Sequence, residues 1–385
     1  MKGKKKVSIL GSTGSIGKQA LDIIEAEPEL YELASLSCMK NIELLAEQIK
    51  KFKPKFVATY SDDDARKLAE TYSDVKFFSG SEGLAEMAAE AEDDILLNSV
   101  VGMAGLIPTY RALLAGKRIA LANKETLVAG GGLIMKTAAE KGLTLLPVDS
   151  EHSAVFQCLQ GNSHESVGKI ILTASGGPFF GCSLDELKDV SLEDTLSHPT
   201  WNMGKKITVD SATMMNKGFE VIEAHWLFDI PAEKIEVLVH PESIIHSLVE
   251  YRDGAVMAQL GVPDMRLPIA YAFNYPDRLM TPAEHLDLAE AGRLTFKAPD
   301  RNTFKCLQLA YDALEAGNAC CTALNAANEI CVEAFLNKKI PFLKIQETLE
   351  RVIEAYEDKP ADTPEDILET DVNARELAKE FLLLS

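Results

Sequence analysis

Hydrophobic positions in the first 150 residues gather in short β-rich runs, at 7–10, 32–37, 56–59, 76–78, 95–98, 118–122 and 144–148. Stretches with helical spacing separate them, at 18–26, 42–51, 63–72 and 105–115. A strand with one face in water alternates apolar and polar residues, whereas a strand covered on both faces reads as a run. Runs alternating with helices at this rhythm predict an α/β domain over 1–150, a Rossmann-like parallel sheet with helices on both faces. Past residue 150 strand-like segments cluster at 169–173, 236–240, 244–251 and 255–261, and Arg252-Asp-Gly254 predicts a hairpin turn between the last two. This predicts a central α+β domain over 151–275. Residues 276–302 are rich in Pro, Asp and Arg with weak periodicity and read as a linker. From 303 to 385 only helical patterns occur, at 305–315, 322–336, 341–356 and 363–383, and predict a small helical bundle.

Composition narrows the function. The 385 residues carry 39 basic and 59 acidic side chains, a formal charge of −20. Nucleic acid and anionic membrane are disfavoured as partners, because each phosphate contact needs positive surface. An anionic substrate must then be held by a local cluster of donors. The seven cysteines, an odd number without a C-x-x-C pair, argue against zinc ribbons and disulfide scaffolds. A reducing cytoplasm is the expected home. The basic start, Met1-Lys-Gly-Lys-Lys-Lys6, leads into only four apolar-leaning residues before Gly11, so no signal h-region is expected, and no run of 18 apolar residues suggests a membrane span.

Gly11-Ser-Thr-Gly-Ser-Ile-Gly17 follows the first strand and opens the first helix. In that context a glycine-rich turn sets backbone N–H groups and a helix N-terminus against a pyrophosphate. The spacing is G-x-x-G-x-x-G rather than G-x-G-x-x-G, and the competing reading is a turn without a ligand. The second strand runs out as Ser37-Cys-Met-Lys-Asn41 with no acid at its tip. A carboxylate there would hold an NAD ribose and repel a 2′-phosphate, so Lys40 favours NADP(H), unless it is an ordinary surface lysine.

Two further clusters carry chemistry. In Pro147-Val-Asp149-Ser150-Glu151-His152 an extended chain would point Asp149 and Glu151 to one side. In Asp210-Ser-Ala-Thr-Met-Met-Asn-Lys-Gly-Phe-Glu220 a helix beginning near Met215 would set Asn216, Lys217 and Glu220 on one face. Two or three carboxylates suit Mg²⁺ or Mn²⁺ better than zinc. Solvated acids at a domain boundary are the competing account, and spacing alone leaves Asp210 or Glu223 as substitutes for Glu220. Ser175-Gly-Gly-Pro-Phe179, with Ser211, Asn216 and Lys217, offers donors for an anion. The loop Ser197-His-Pro-Thr-Trp-Asn-Met-Gly204 lacks a period, and its Trp201 and Met203 are either core plugs or a closing lid. The histidines other than His198 stand in strand or helix patterns and read as structural.

These segments together resemble the 1-deoxy-D-xylulose 5-phosphate reductoisomerase family. The likeness spans nearly the whole chain: GSTGSIG at 11–17, ANKETLV at 122–128, PVDSEH at 147–152, SGGPF at 175–179, HPTWNMG at 198–204, VDSATMMNKGFE at 209–220, HPESIIHS at 240–247 and GVPDMRLPIA at 261–270. The resemblance implies NADPH held by Thr13, Gly14, Ser15, Ile16, Lys40, Asn41, Asn123, Glu125 and Gly204. It implies a divalent metal, Mg²⁺ or Mn²⁺, on Asp149, Glu151 and Glu220. It implies substrate contacts from Lys124, Ser150, Glu151, Ser175, His198, Ser211, Asn216 and Lys217, with Glu220 beside them. The phosphate would rest on Ser175, Ser211, Asn216 and Lys217, under a lid that includes Trp201 and Met203. Met39 stands where the family often has a small residue.

The activity so implied is rearrangement and reduction of 1-deoxy-D-xylulose 5-phosphate, a sugar phosphate, to 2-C-methyl-D-erythritol 4-phosphate in non-mevalonate isoprenoid biosynthesis. The resemblance also implies a homodimer whose catalytic and dimerisation functions lie in 151–275. Two rivals compete: a metal-independent NADP-dependent dehydrogenase of a small phosphorylated or semialdehyde substrate, and a non-catalytic dinucleotide sensor. The first predicts that EDTA leaves turnover intact. The second predicts NADPH binding without its consumption.

Overall fold

The computed structural model describes residues 3–201, 203–356 and 359–383. Chain contacts group into two compact units: Met1–Thr126 with Ile134–Ser153 and Asp264–Glu284, and Leu127–Leu133 with Ala154–Pro263 and His285–Ser385.

The strands β1 (Lys5–Leu10), β2 (Tyr31–Cys38), β3 (Phe56–Thr59), β4 (Lys76–Ser79), β5 (Ile95–Asn98), β6 (Ile119–Leu121) and β7 (Leu146–Pro147) form the sheet of the first unit. Their order is β4-β3-β2-β1-β5-β6-β7 and every pairing is parallel. The helices interleaved with them are α1 (Ser15–Ala26), α2 (Ile42–Phe52), α3 (Asp62–Thr71), α4 (Gly80–Glu90), α5 (Leu106–Leu114) and α6 (Glu125–Glu140). Val7, Ile9 and Leu10, and likewise Ile95, Leu96 and Leu97, are fully buried, as expected of strands covered on both faces. The chain leaves β1 toward β2 on one side and returns to β5 on the other. The crevice beyond the carboxyl ends of β1 and β5 is therefore the switch point at which such sheets bind ligands.

After β7 comes α7 (Ser150–Leu159), then β8 (Val167–Ala174), α8 (Leu192–Thr195), α9 (Lys205–Ala212), α10 (Met215–Phe228), β9 (Ile235–Val239), β10 (Ile245–Tyr251) and β11 (Val256–Leu260). The four strands make a mixed sheet ordered β11-β10-β8-β9. Gly254, at φ 86°, closes the β10–β11 hairpin as the turn residues predict. Helix α11 (Arg266–Asn274) belongs to the first unit, where it packs on α1, β6 and β7, and the Tyr31 and Phe273 rings meet at 6.0 Å. A short α12 (Leu288–Ala291) precedes the helices α13 (Lys305–Ala316), α14 (Asn318–Leu336), α15 (Leu343–Ala355) and α16 (Pro364–Leu383).

These contacts divide the chain differently from the sequence segments. Residues 264–284 join the first unit, and the C-terminal helices share one apolar core with β8, β9 and α10 rather than owning a separate one. The reason lies in α14, whose residues from Ala319 to Asn328 are all buried. A helix buried on every side needs neighbours all round. Within the stretch read as a linker, Lys297 exchanges both backbone hydrogen bonds with Val239, at 2.8 and 2.9 Å, and so extends the edge of β9.

Candidate active site

Each unit carries its own share of the candidate residues. In the first, the chain turns sharply after β1 because Gly11 stands at φ 85°, with an added Cβ only 2.9 Å from the Ser99 carbonyl oxygen. Gly17 lets α1 close on that turn, since a Cβ there would lie 2.3 Å from the Gly11 oxygen. The turn is tied to the end of β2: Gly11 N–H donates to Ser37 Oγ at 2.9 Å, and Ser12 Oγ to Gln48 Oε1 at 2.7 Å. Thr13 Oγ1 lies 3.1 Å from Cys38 Sγ. Gly14 brings no side chain to the N-cap, and no acid occupies the first turn of α1. The amides of Ser15 and Ile16 therefore open a helix suited to a pyrophosphate. Lys40 and Asn41 follow β2 and are exposed, as is Met39. Asn41 has a structural duty as well, since its Oδ1 accepts the Leu44 N–H at 3.1 Å and caps α2.

Asn123 is buried after β6, and its Nδ2 donates to the Val100 and Gly102 carbonyls and to Glu125 Oε2, each at 3.0 Å. It fixes the loop after β5 to the start of α6. Lys124 is buried with its Nζ 2.5 Å from Asp149 Oδ2. Ser150 Oγ donates to Glu151 Oε2 at 2.7 Å. The extended alternation expected at Asp149 and Glu151 is not what the backbone adopts. Ser150 begins α7, and the Asp149 carbonyl accepts the Ser153 N–H at 2.8 Å, so Glu151 sits in a helical first turn. Asp before a helical residue is a favoured N-cap type, the signal that points to this helix.

In the second unit β8 runs into Ser175-Gly-Gly. Gly177, at φ 70°, lies flush on α9: a Cβ there would come within 2.7 Å of the Ser211 carbonyl oxygen. Close approach of two backbones thus sets the loop that carries Ser175 against α9 at Ser211. α9 is helical although its β-branched Ile207, Thr208 and Val209 disfavour a helix locally, because buried packing overrides them. α10 begins at Met215 as expected, and on its first turn Asn216 Nδ2 donates to Glu220 Oε1 at 2.5 Å while Lys217 pairs with Glu220 Oε2. Lys217 and Glu220 are both buried. Asp210, an alternative to Glu220 by spacing, is engaged by Lys206 and Asn328 instead.

His198 is half-buried, and desolvation holds its pKa below the ordinary value. Its Nδ1 accepts the N–H of Thr200 at 3.2 Å and of Trp201 at 3.0 Å. The proton of the neutral ring is therefore on Nε2, which donates to Ser175 Oγ at 2.9 Å. Ser175 Oγ also accepts the Gly177 N–H at 3.3 Å, which leaves its hydroxyl proton to point elsewhere. Trp201 and Met203 are half-buried and Gly204 caps α9, while Asn202 of the same loop lies outside the described residues. Trp201 rests against the His246 ring at 6.2 Å, and Thr200 Oγ1 lies 3.5 Å from Ser243 Oγ. His246, read from its strand position as structural, thus supports the candidate lid. Its place inside HPESIIHS was the available signal.

Family models described as 1-deoxy-D-xylulose 5-phosphate reductoisomerase, as the C-terminal domain of that enzyme and as DXP reductoisomerase C-terminal domain match residues 7–131, 145–228 and 260–377. Among curated proteins, the 1-deoxy-D-xylulose 5-phosphate reductoisomerase of Clostridium perfringens is 53% identical over 376 residues, covering 97% of this chain and 98% of that protein. That of Geobacter metallireducens is 53% identical over 383 residues, covering 99% and 100%. A crystal structure of DOX-P reductoisomerase with NADPH, fosmidomycin and magnesium superposes with a TM-score of 0.95 at 41% identity, over 99% of this chain and 98% of that one. The Zymomonas mobilis enzyme with NADPH gives 0.92 at 43%, over 98% and 99%.

Proposed function

Since the chain belongs to the 1-deoxy-D-xylulose 5-phosphate reductoisomerase family, we propose that it converts 1-deoxy-D-xylulose 5-phosphate to 2-C-methyl-D-erythritol 4-phosphate, with NADPH as reductant and Mg²⁺ or Mn²⁺ as metal. The observation that carries this reading is full-length likeness to curated enzymes of that name, together with the motifs that fall on it. NADPH is assigned to Thr13, Gly14, Ser15, Ile16, Lys40, Asn41, Asn123, Glu125 and Gly204, and supplies the hydride when bound.

The metal is assigned to Asp149, Glu151 and Glu220. Their chemistry fits it: all three offer carboxylate oxygens, with Lys124 beside Asp149 and Lys217 beside Glu220. A divalent ion there supplies Lewis-acid stabilisation of negative charge developing on substrate oxygens.

The protein's own groups bind and orient. Ser211, Asn216 and Lys217 receive the phosphate. Ser175, whose oxygen is already occupied by His198 Nε2–H and the Gly177 amide, turns its hydroxyl proton toward the same anion. Lys124 and Ser150 stand beside the metal-ligating acids and face the reacting oxygens. Trp201 and Met203 close over the substrate and exclude water.

A cytoplasmic homodimer is the matching state. All seven cysteines are free thiols, as a reducing compartment keeps them. The edge strand β11 exposes Val256, Met257 and Leu260, an apolar edge of the kind a second copy covers. No helix among the described residues is long and apolar enough to cross a membrane. The metal-independent dehydrogenase is disfavoured, since it leaves the three carboxylates and the phosphate donors without a task. The test is NADPH oxidation with deoxyxylulose phosphate, with and without added Mg²⁺ after EDTA treatment. Consumption that needs both sugar phosphate and metal supports the proposal; metal-independent turnover, or none, overturns it.

A further inference from the structure

We propose that the C-terminal helices set the geometry of the phosphate site, with Asn328 of α14 as a positioning residue acting through Asp210. This rests on the assignment of the phosphate to Ser211, Asn216 and Lys217. Those residues flank the turn between α9 and α10, where Met214 stands at φ 63°, a left-handed conformation that a side chain makes unfavourable. The turn is braced internally: Thr213 Oγ1 donates to the Asp210 carbonyl at 3.1 Å and accepts the Met215 N–H at 3.3 Å.

The brace is anchored from outside at two points. Asp210 is fully buried, and Asn328 Nδ2, 118 positions away along the chain, donates to its Oδ1 at 2.7 Å. The other carboxylate oxygen is 2.9 Å from Lys206 Nζ, which lies on α9 itself, so the Asn328 bond ties the end of α9 to α14. On the far side of the turn, Gly218 sits flush on α13, where a Cβ would come 2.7 Å from Ala310 Cβ and 3.2 Å from the Cys306 carbonyl oxygen. Asn328 Oδ1 finds no hydrogen-bond partner among the described residues. A buried amide half-satisfied in this way does little for α14, where an apolar residue of similar shape would serve. Its contribution is the bond to Asp210.

Without that bond α9 can shift along α14, the left-handed turn can relax, and Ser211, Asn216 and Lys217 lose their common geometry. The experiment measures inorganic phosphate affinity by calorimetry, KM and kcat for the sugar phosphate, NADPH affinity and thermal midpoint. The proteins are wild type, Asn328→Ala, the milder Asn328→Ser, the exchange Asp210→Asn with Asn328→Asp, and Lys217→Ala. We expect Asn328→Ala and Asn328→Ser to weaken phosphate binding and raise KM about tenfold, with kcat and NADPH affinity within about twofold. The exchange, which reverses the amide–carboxylate pair, should recover most of the loss. A lowered midpoint with unchanged phosphate affinity and KM would make Asn328 a stabilising residue only and overturn the proposal. If Lys217→Ala also leaves phosphate affinity unchanged, the phosphate assignment itself is what fails.

Discussion

Substituting Gly177 by alanine tests the contact that sets the Ser175 loop against Ser211. Two costs apply there. A side chain at φ 70° takes on left-handed strain of about 1–2 kcal/mol. The new Cβ would also lie 2.7 Å from the Ser211 carbonyl oxygen, 3.1 Å from its carbon and 3.2 Å from Ala212 Cα. These are backbone atoms of a packed helix, so the loop must retreat, by roughly 0.7 Å to reach ordinary contact, and overpacking of this kind costs about 1–3 kcal/mol. Gly181 supplies the control: its φ is 88°, but a Cβ there meets nothing within 4 Å. Gly181→Ala therefore carries the strain without the collision. Thermal unfolding of both variants should show Gly177→Ala the less stable by about 1–3 kcal/mol. Steady-state kinetics should show kcat/KM for deoxyxylulose phosphate down by about 10- to 100-fold in Gly177→Ala alone, with NADPH affinity unchanged. Equal destabilisation of the two variants, with KM unmoved in both, would refute the idea that this backbone contact aligns the two serines.

The remaining predictions concern charge. Glu220→Gln should lower turnover at least about 100-fold and weaken Mn²⁺ binding, while NADPH affinity stays within about twofold; equal loss of cofactor affinity would remove Glu220 from the metal site. For His198, burial lowers the folded pKa below 6.5. The unfolded chain then takes up a proton that the folded one refuses. The stability from neutral His198 is full above that ordinary value and is lost as pH falls through the lower folded one. Protonation also places a hydrogen on Nδ1 against the Thr200 and Trp201 amides. KM for the sugar phosphate should rise on the acid side in the wild type and lose that limb in His198→Asn; identical pH profiles would contradict it.

Local requirements of the backbone made part of the site readable in the residues alone. The 11–17 loop needs glycines because one stands at positive φ and another lets α1 meet the turn, and no other residue type satisfies either demand. Asn216, Lys217 and Glu220 were placed together by helical periodicity, which holds whatever the helix packs against. The doubly covered strands betrayed themselves as apolar runs. Where a segment is short and its propensities conflict, the reading failed. Glu151 lies in a helical turn rather than an extended one.

The chain by itself determined the kinds of chemistry available, the glycine-rich turn after β1, the alternation that builds the parallel sheet and the side chains that share a helix face, because those follow from interactions spanning a few residues. Only the tertiary structure decided that Gly177 lies on Ser211, that Trp201 rests on His246, that Asn328 holds Asp210 and that the C-terminal helices share the core of β8 and α10. Such pairings join positions tens to more than a hundred residues apart. They are selected by how whole surfaces fit and exclude water, and no local pattern records that.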